Sequence, residues 1–183
     1  VHDVYVAYLE FALSRNYLTF GFLQVFAFVL LCEDPGLREA ASYEYVMVDE
    51  FQDTSEIQFQ LALLLSETDN LCVVGDWKQS IFSFQYADVE NILEFEDRLD
   101  RYRTSLNDGQ TRVGFQTDDV TPIELTENYR SSQEILNFSE EALTTPASNG
   151  EDVDLSELGS IDPLSSNASL QDTRIEGIHH EEE

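Results

Sequence analysis

"VMVDEFQDTSEIQ", residues 46–58, sets an apolar run directly against Asp49 and Glu50, then adds Gln52 and Asp53 before a helix can begin. A short, continuously apolar run that stops at acid predicts a strand buried on both faces of a parallel sheet. The acid at its end has two readings. One is a turn that happens to be acidic; the other is a strand tip that holds a metal ion and a water against a phosphate.

Working outward, the strand extends back to Tyr43 ("YEYVMV", 43–48) and is followed by a helix over "SEIQFQLALLLSE", which Thr54 or Ser55 can cap. "NLCVVGD" (70–76) repeats the pattern of strand, then acid, and "ADVENILEFEDRLDRYR" (87–103) predicts one more helix. Upstream, two helices are expected over 1–15 and 18–32, broken at "EDPG" (33–36) and followed by a short helix over 37–42. Downstream of a polar stretch (104–119), "TPIELTENYRSSQEILNFSEEAL" predicts strand, turn and helix. Residues 144–173 are rich in Ser, Asp and Glu and predict an exposed, flexible linker; 174–183 would begin another strand. Alternating strands and helices imply an α/β fold with a central parallel sheet flanked by helices. Ligands in such folds sit beyond the carboxyl ends of the strands, where Asp49–Glu50, Gly75–Asp76 and Asn128–Arg130 all fall.

Composition bounds the partners. With 42% hydrophobic residues the chain can bury a core. Yet 37 acidic residues against 9 basic ones leave a net charge of −28, and the one lysine is Lys78. Phosphate binding rests on Lys and Arg displacing counterions, so this charge opposes nucleic acid in dilute salt. Acid dispersed along a chain of ordinary hydrophobicity suits concentrated salt, where the Debye length shrinks to about 3 Å at 1 M. A halophilic cytoplasm, that of an archaeon, is the expectation; an acidic interaction protein is the alternative. Cys32 and Cys72 lie in apolar contexts and are expected in the core. "FGFLQVFAFVLLC" (20–32) is too short to span a bilayer and predicts a buried helix, so no membrane partner is expected. The chain opens on Val1 in a helical pattern, which suggests a fragment.

The chemistry-bearing residues gather at the strand ends. Mg²⁺ keeps several waters and needs only one or two carboxylates beside phosphate oxygens, a task that suits Asp49. Its neighbour Glu50 can take a proton from an attacking water. In "VVGDWKQSI" (73–81), Gly75 permits close backbone approach, Asp76 can hold a hydrogen bond, and Gln79 can reach a γ-phosphate without adding charge. "LTENYRSS" (125–132) supplies Arg130, suited to the charge of a transferring phosphoryl group, and Tyr129, a flat face for a base.

Together, "VDEFQDTS", "GDWKQSIFSF" and "LTENYRSS" closely resemble motifs II, III and IV of the UvrD/Rep family of superfamily 1 DNA helicases. The resemblance is strong over about residues 43–143. It implies a RecA-like P-loop NTPase lobe preceded by helices of an inserted helical subdomain (1–42). The C-terminal part of the first lobe would occupy 43–120, motif IV and the entry to the second lobe 121–143, an acidic insertion 144–173, and a second-lobe segment 174–183. Asp49 would bind Mg²⁺, Glu50 would be the general base, Gln79 the γ-phosphate sensor, Arg130 the arginine finger, and Tyr129 the adenine platform, with Asp76 also at the nucleotide. Phe82, Phe84 and Tyr86 would stack on single-stranded DNA. The implied activity is ATP-dependent unwinding of single-strand/duplex junctions in repair or recombination, in the cytoplasm and together with further helicase segments. The alternative is a non-hydrolysing homologue acting as a repair scaffold.

The chain departs from the family in three places. Gln85 and Tyr86 stand where the family has Arg-Gly, 104–119 is atypical, and no GxxGxGK[ST] phosphate loop occurs in these residues.

Overall fold

The computed structural model describes residues 2–79, 88, 90–114, 120–144 and 164–168, which divide into two compact units, 1–120 and 121–183. In the first unit, helix α1 (His2–Leu13), helix α2 (Phe20–Glu33) and helix α3 (Pro35–Ala41) precede strand β1 (Val46–Val48). A 3-10 turn (Phe51–Asp53), helix α4 (Glu56–Leu65) and strand β2 (Leu71–Val73) follow. A second 3-10 turn (Trp77–Gln79) leads towards helices α5 (Glu90–Leu93) and α6 (Phe95–Leu106).

β1 and β2 pair in parallel, with Val46 opposite Leu71, Met47 opposite Cys72 and Val48 opposite Val73. The α4 crossover between them makes a β-α-β unit, as the alternation of elements predicts. Ser55 starts α4: its backbone N–H and its hydroxyl both donate to Gln58 Oε1, at 2.7 and 3.0 Å. The core gathers one face of α4 (Phe59, Leu63, Leu64), the end of α2 (Leu31, Cys32), and α6 (Leu99, Tyr102, Leu106) around Phe51. Phe51 and Phe59 meet edge to face with centroids 5.0 Å apart, Phe59 stacks on Phe95 at 5.3 Å, and Tyr102 closes the cluster edge-on at 5.3 Å. Such aromatic pairs contribute about 0.5–1.5 kcal/mol each beyond the area they bury.

Several expectations need correction. The strand is three residues long, and Tyr43, Tyr45 and Met47 are exposed. Side chains alternate along a strand, and only the face bearing Val48 and Val73 packs on the core. Cys72 shares the open face with Met47 and is exposed, whereas Cys32 is buried. Burial pushes the Cys32 thiol above its ordinary pKa, while Arg112 and Arg38 pull the other way. The apolar helix α2 buries Phe22, which packs against Tyr8 and Phe26, and places Leu31 and Cys32 in the core; Phe20 and Leu30 remain exposed. No single helix among the described residues is long and apolar enough to cross a membrane. The chain break at 33–36 contracts to Asp34, which closes α2 through its N–H and caps α3 with its carboxylate.

The single helix expected over 87–103 is interrupted at Glu94 (φ −110°, ψ 34°), although i→i−4 hydrogen bonds continue through Glu94 and Arg98. It also runs on to Leu106. The polar stretch beyond it turns back, with Asn107 Oδ1 accepting from the N–H groups of Arg112 and Val113, and it places Val113 in the core with no exposure. Two arginines satisfy carbonyls at the end of α2. Arg38 donates to Leu31 O and Arg112 to Cys32 O, cations where the helix dipole is negative.

In the second unit, strand β3 (Glu127–Asn128) pairs in parallel with strand β4 (Ser165–Ser166), and helix α7 (Gln133–Thr144) lies between them in sequence. β4 falls within the stretch expected to be a flexible linker. Its pairing is polar: Gln133 donates to Leu164 O and accepts from Ser166 N–H, contacts that no hydrophobic pattern announces. Residues 174–183 lie outside the described residues.

Among the described residues of the first unit, Arg98 is the most heavily bonded buried charge. It is 5% exposed, pairs with Asp88 and Glu90, and donates to Asn91 Oδ1 at 2.9 Å. Burial works against its charge, but the hydrogen bond and charge of Asp88, aided by Glu90, outweigh that and raise its pKa. Replacing Arg98 by Met leaves Asn91 Oδ1 without this donor, while the acid partners, which are partly exposed, recover water. We expect a loss of about 1–3 kcal/mol in urea unfolding; a change under about 0.5 kcal/mol would show the network to be dispensable.

Candidate nucleotide site

β1 ends at Val48, and the chain must turn so that Phe51 reaches the aromatic cluster, where it has no exposure. The turn forces Glu50 into a left-handed conformation (φ 50°, ψ 45°), costly for a residue with a Cβ. Strain of this kind collects at functional sites. The ladder between the strands nevertheless continues past it: Val74 N–H donates to Val48 O and Phe51 N–H to Val74 O, both at 2.8 Å.

The four polar groups of the opening stretch are thereby sorted. Asp49 and Glu50 stand exposed at the strand tip, Gln52 is buried at 1% exposure, and Asp53 is half-buried. Asp49 Oδ1 accepts the Glu50 N–H at 2.9 Å. Gln52 Nε2 donates to Glu50 Oε2 at 2.7 Å, and Gln52 Oε1 accepts from Asp76 N–H at 3.0 Å. Asp76 in turn accepts from Lys78 N–H at Oδ1 and from the Gln79 amide at Oδ2, the latter at 2.9 Å. Glu50, Asp76 and Gln79 are therefore joined at the ends of adjacent parallel strands. Gln52, to which the sequence reading assigned no individual role, is the link. Its one sequence signal was an amide between an acid pair and a helix.

Gly75 permits a close approach, as expected, and it is the protein's own atoms that come close: a Cβ there would lie 2.6 Å from Gln52 Oε1, 2.9 Å from Ile92 Cδ1 and 3.1 Å from the Phe51 backbone N. In the second unit, Asn128 Oδ1 accepts from the N–H groups of Arg130 (2.9 Å) and Ser131 (2.7 Å), which shapes the turn after β3. Tyr129 is exposed and donates to Glu127; Arg130 is exposed. Phe82, Phe84 and Tyr86 lie outside the described residues. Asp49 offers one exposed carboxylate at the strand tip, of the hard oxygen type that Mg²⁺ takes beside phosphate oxygens and water; among the described residues no three His, Cys, Asp or Glu side chains cluster.

The family model described as UvrD/REP helicase N-terminal domain matches residues 1–100, a span that holds both strand ends. The chain belongs to the UvrD/REP helicase family. It is 37% identical over 139 residues to the exonuclease/helicase subunit RexA of Lactococcus lactis, covering 75% of this chain and 10% of that protein. It is 38% identical over 102 residues to the ATP-dependent DNA helicase PcrA of Staphylococcus epidermidis, covering 55% and 12%. A probable DNA helicase II homologue of Mycoplasma capricolum is 34% identical over 139 residues, covering 74% and 17%. The chain thus spans between 10% and 17% of the length of these curated relatives. All three come from bacteria and lend nothing to an archaeal origin.

Substituting Gly75 by Ala should drive Gln52 or the Phe51 backbone aside and cost about 1–3 kcal/mol in urea unfolding. A variant as stable as the parent would mean that Gln52 moves freely.

Proposed function

We propose that this chain carries part of the ATP site of a DNA helicase that couples hydrolysis to single-strand translocation and duplex unwinding in repair or recombination. The observation that carries the reading is the hydrogen-bonded line Glu50–Gln52–Asp76–Gln79 across two parallel strand ends, in a UvrD/REP family member. The full RecA-like lobe with its central sheet, the assignment of motifs II to IV and the domain limits drawn above belong to this proposal. So does a cytoplasmic location.

In this reading Asp49 holds Mg²⁺, which when bound offsets phosphate charge. Glu50 accepts the proton of the attacking water, and Gln79, held by Asp76, senses the γ-phosphate. Arg130 stabilises the charge of the transferring group, and Tyr129, presented on an exposed turn, stacks on the adenine. Phe82, Phe84 and Tyr86 stack on bases of single-stranded DNA, a contact that depends little on counterion release.

In the full-length protein containing this segment, Glu50→Gln should abolish ATP hydrolysis while sparing ATP binding, since the amide keeps the shape but cannot take the proton. Arg130→Ala should slow turnover by roughly 10³-fold or more. Steady-state hydrolysis and nucleotide titration measure both, and near-normal turnover in either variant would remove the role given to that residue.

The acid surface favours a second proposal, adaptation to concentrated salt. Arg38 and Arg98 are buried and Arg112 is half-buried, each bonded to carbonyls or acids of the chain, which leaves the outside more acidic still. Self-repulsion at a net charge of −28 should loosen the fold in dilute buffer, and molar KCl should raise its melting temperature by screening. Greatest stability in dilute buffer, followed by circular dichroism across a KCl series, would reject salt adaptation and favour the acid as a partner-binding surface of a repair scaffold.

A further inference from the structure

Gln52 is a fully buried amide with both halves used. A backbone N–H can only donate, so the oxygen must face Asp76 N–H, and the nitrogen is left to donate to Glu50 Oε2. The closest substitutes do not repeat this. Asn is shorter by one methylene, Met offers neither bond, and Glu would set a second carboxylate against Glu50. The amide is also held in place from outside the turn, since Gly75 is packed so closely that a Cβ would meet Gln52 Oε1 at 2.6 Å. Beyond Asp76 N–H, the carboxylate of the same residue holds the Gln79 amide, so one Gln joins the acid at the first strand end to the amide beyond the second.

We propose that Gln52 is a positioning residue for hydrolysis: it sets the Glu50 carboxylate and ties it to the Asp76–Gln79 pair, so that the proton acceptor and the γ-phosphate sensor keep one geometry. This rests on the ATP-site reading above. Glu50 needs such a tether because its backbone is left-handed and its side chain is exposed, so no packing holds the carboxylate in place. A shift of about 1 Å in a reacting group can cost on the order of 10²-fold in rate.

The experiment uses the full-length protein containing this segment, with Gln52→Met and Gln52→Glu beside Glu50→Gln. Turnover is expressed per nucleotide-competent molecule, counted by titration with a non-hydrolysable ATP analogue. A loss of folded protein lowers that count but leaves the rate per site unchanged, whereas a misplaced Glu50 lowers the rate per site. Gln52→Met should lower kcat per site by roughly 10- to 100-fold, with the analogue's affinity within about threefold of the parent. Gln52→Glu, isosteric and able to keep the Asp76 bond, should not rescue it. Parent-like kcat per site in either variant overturns the inference. So does an analogue count near zero in both variants, which would make Gln52 a residue that holds the fold. If Glu50→Gln itself turns over normally, the ATP-site reading fails; if it is dead while the Gln52 variants are active, only the positioning role fails.

Discussion

The packing of Phe51 is the constraint on which the first unit turns. Its ring is wholly buried between Phe59 of α4 and Phe95 of α6, so the helices and the end of β1 share one aromatic centre. Because Phe51 follows directly on Asp49 and Glu50, its burial dictates where the acids go. The chain reaches the core only by taking Glu50 through the left-handed region, which leaves both acids at the strand tip and turns Gln52 inward. The energy that holds this turn comes from burial and aromatic contact. The polarity that matters for chemistry is set on top of it.

The same economy governs the scarce basic residues. In a chain with 9 of them, Arg38 and Arg112 close the carbonyl end of α2, and Arg98 gathers Asp88, Glu90 and Asn91 beside the turn. Asn91 also donates to Thr54 O, and Asp88 N–H donates to the same carbonyl. The start of α5 is thereby fastened to the residue that follows the acid stretch. These arginines act as structural cations, so the outer surface is more acidic than composition alone suggests. That is the physical ground for expecting salt dependence.

Local chemistry made much legible in the sequence. Strand, acid, helix, strand, acid could be read from hydrophobic runs that end at charge, and the parallel pairing of β1 with β2 follows because a helix separates them. The pairing of Asp76 with Gln79 was within reach as well, three residues apart at a turn. Less legible were burial and length. "YEYVMV" is apolar apart from Glu44, yet Met47 and Tyr45 face out, since a pattern of residues does not say whether both faces of a sheet are covered. Cys72 misled for the same reason. β4 carried no signal, because backbone hydrogen bonds to Thr126 and Asn128, with side-chain bonds to Gln133 and Ser131, hold it rather than an apolar face.

By itself the sequence determined the order of the elements, the acids at the strand ends and membership of the UvrD/REP family, since each depends on neighbours in the chain or on motifs. Only the tertiary structure decided that Gln52 joins the two strand ends. Residues 52 and 76 are 24 positions apart, and their hydrogen bond exists only because β1 and β2 lie side by side with Gly75 leaving the space between them. It decided likewise that Arg98 faces inward and that Glu50 bears the strain of the turn. Those outcomes follow from how the aromatic centre is packed, and packing among distant residues has no period that a single chain can display.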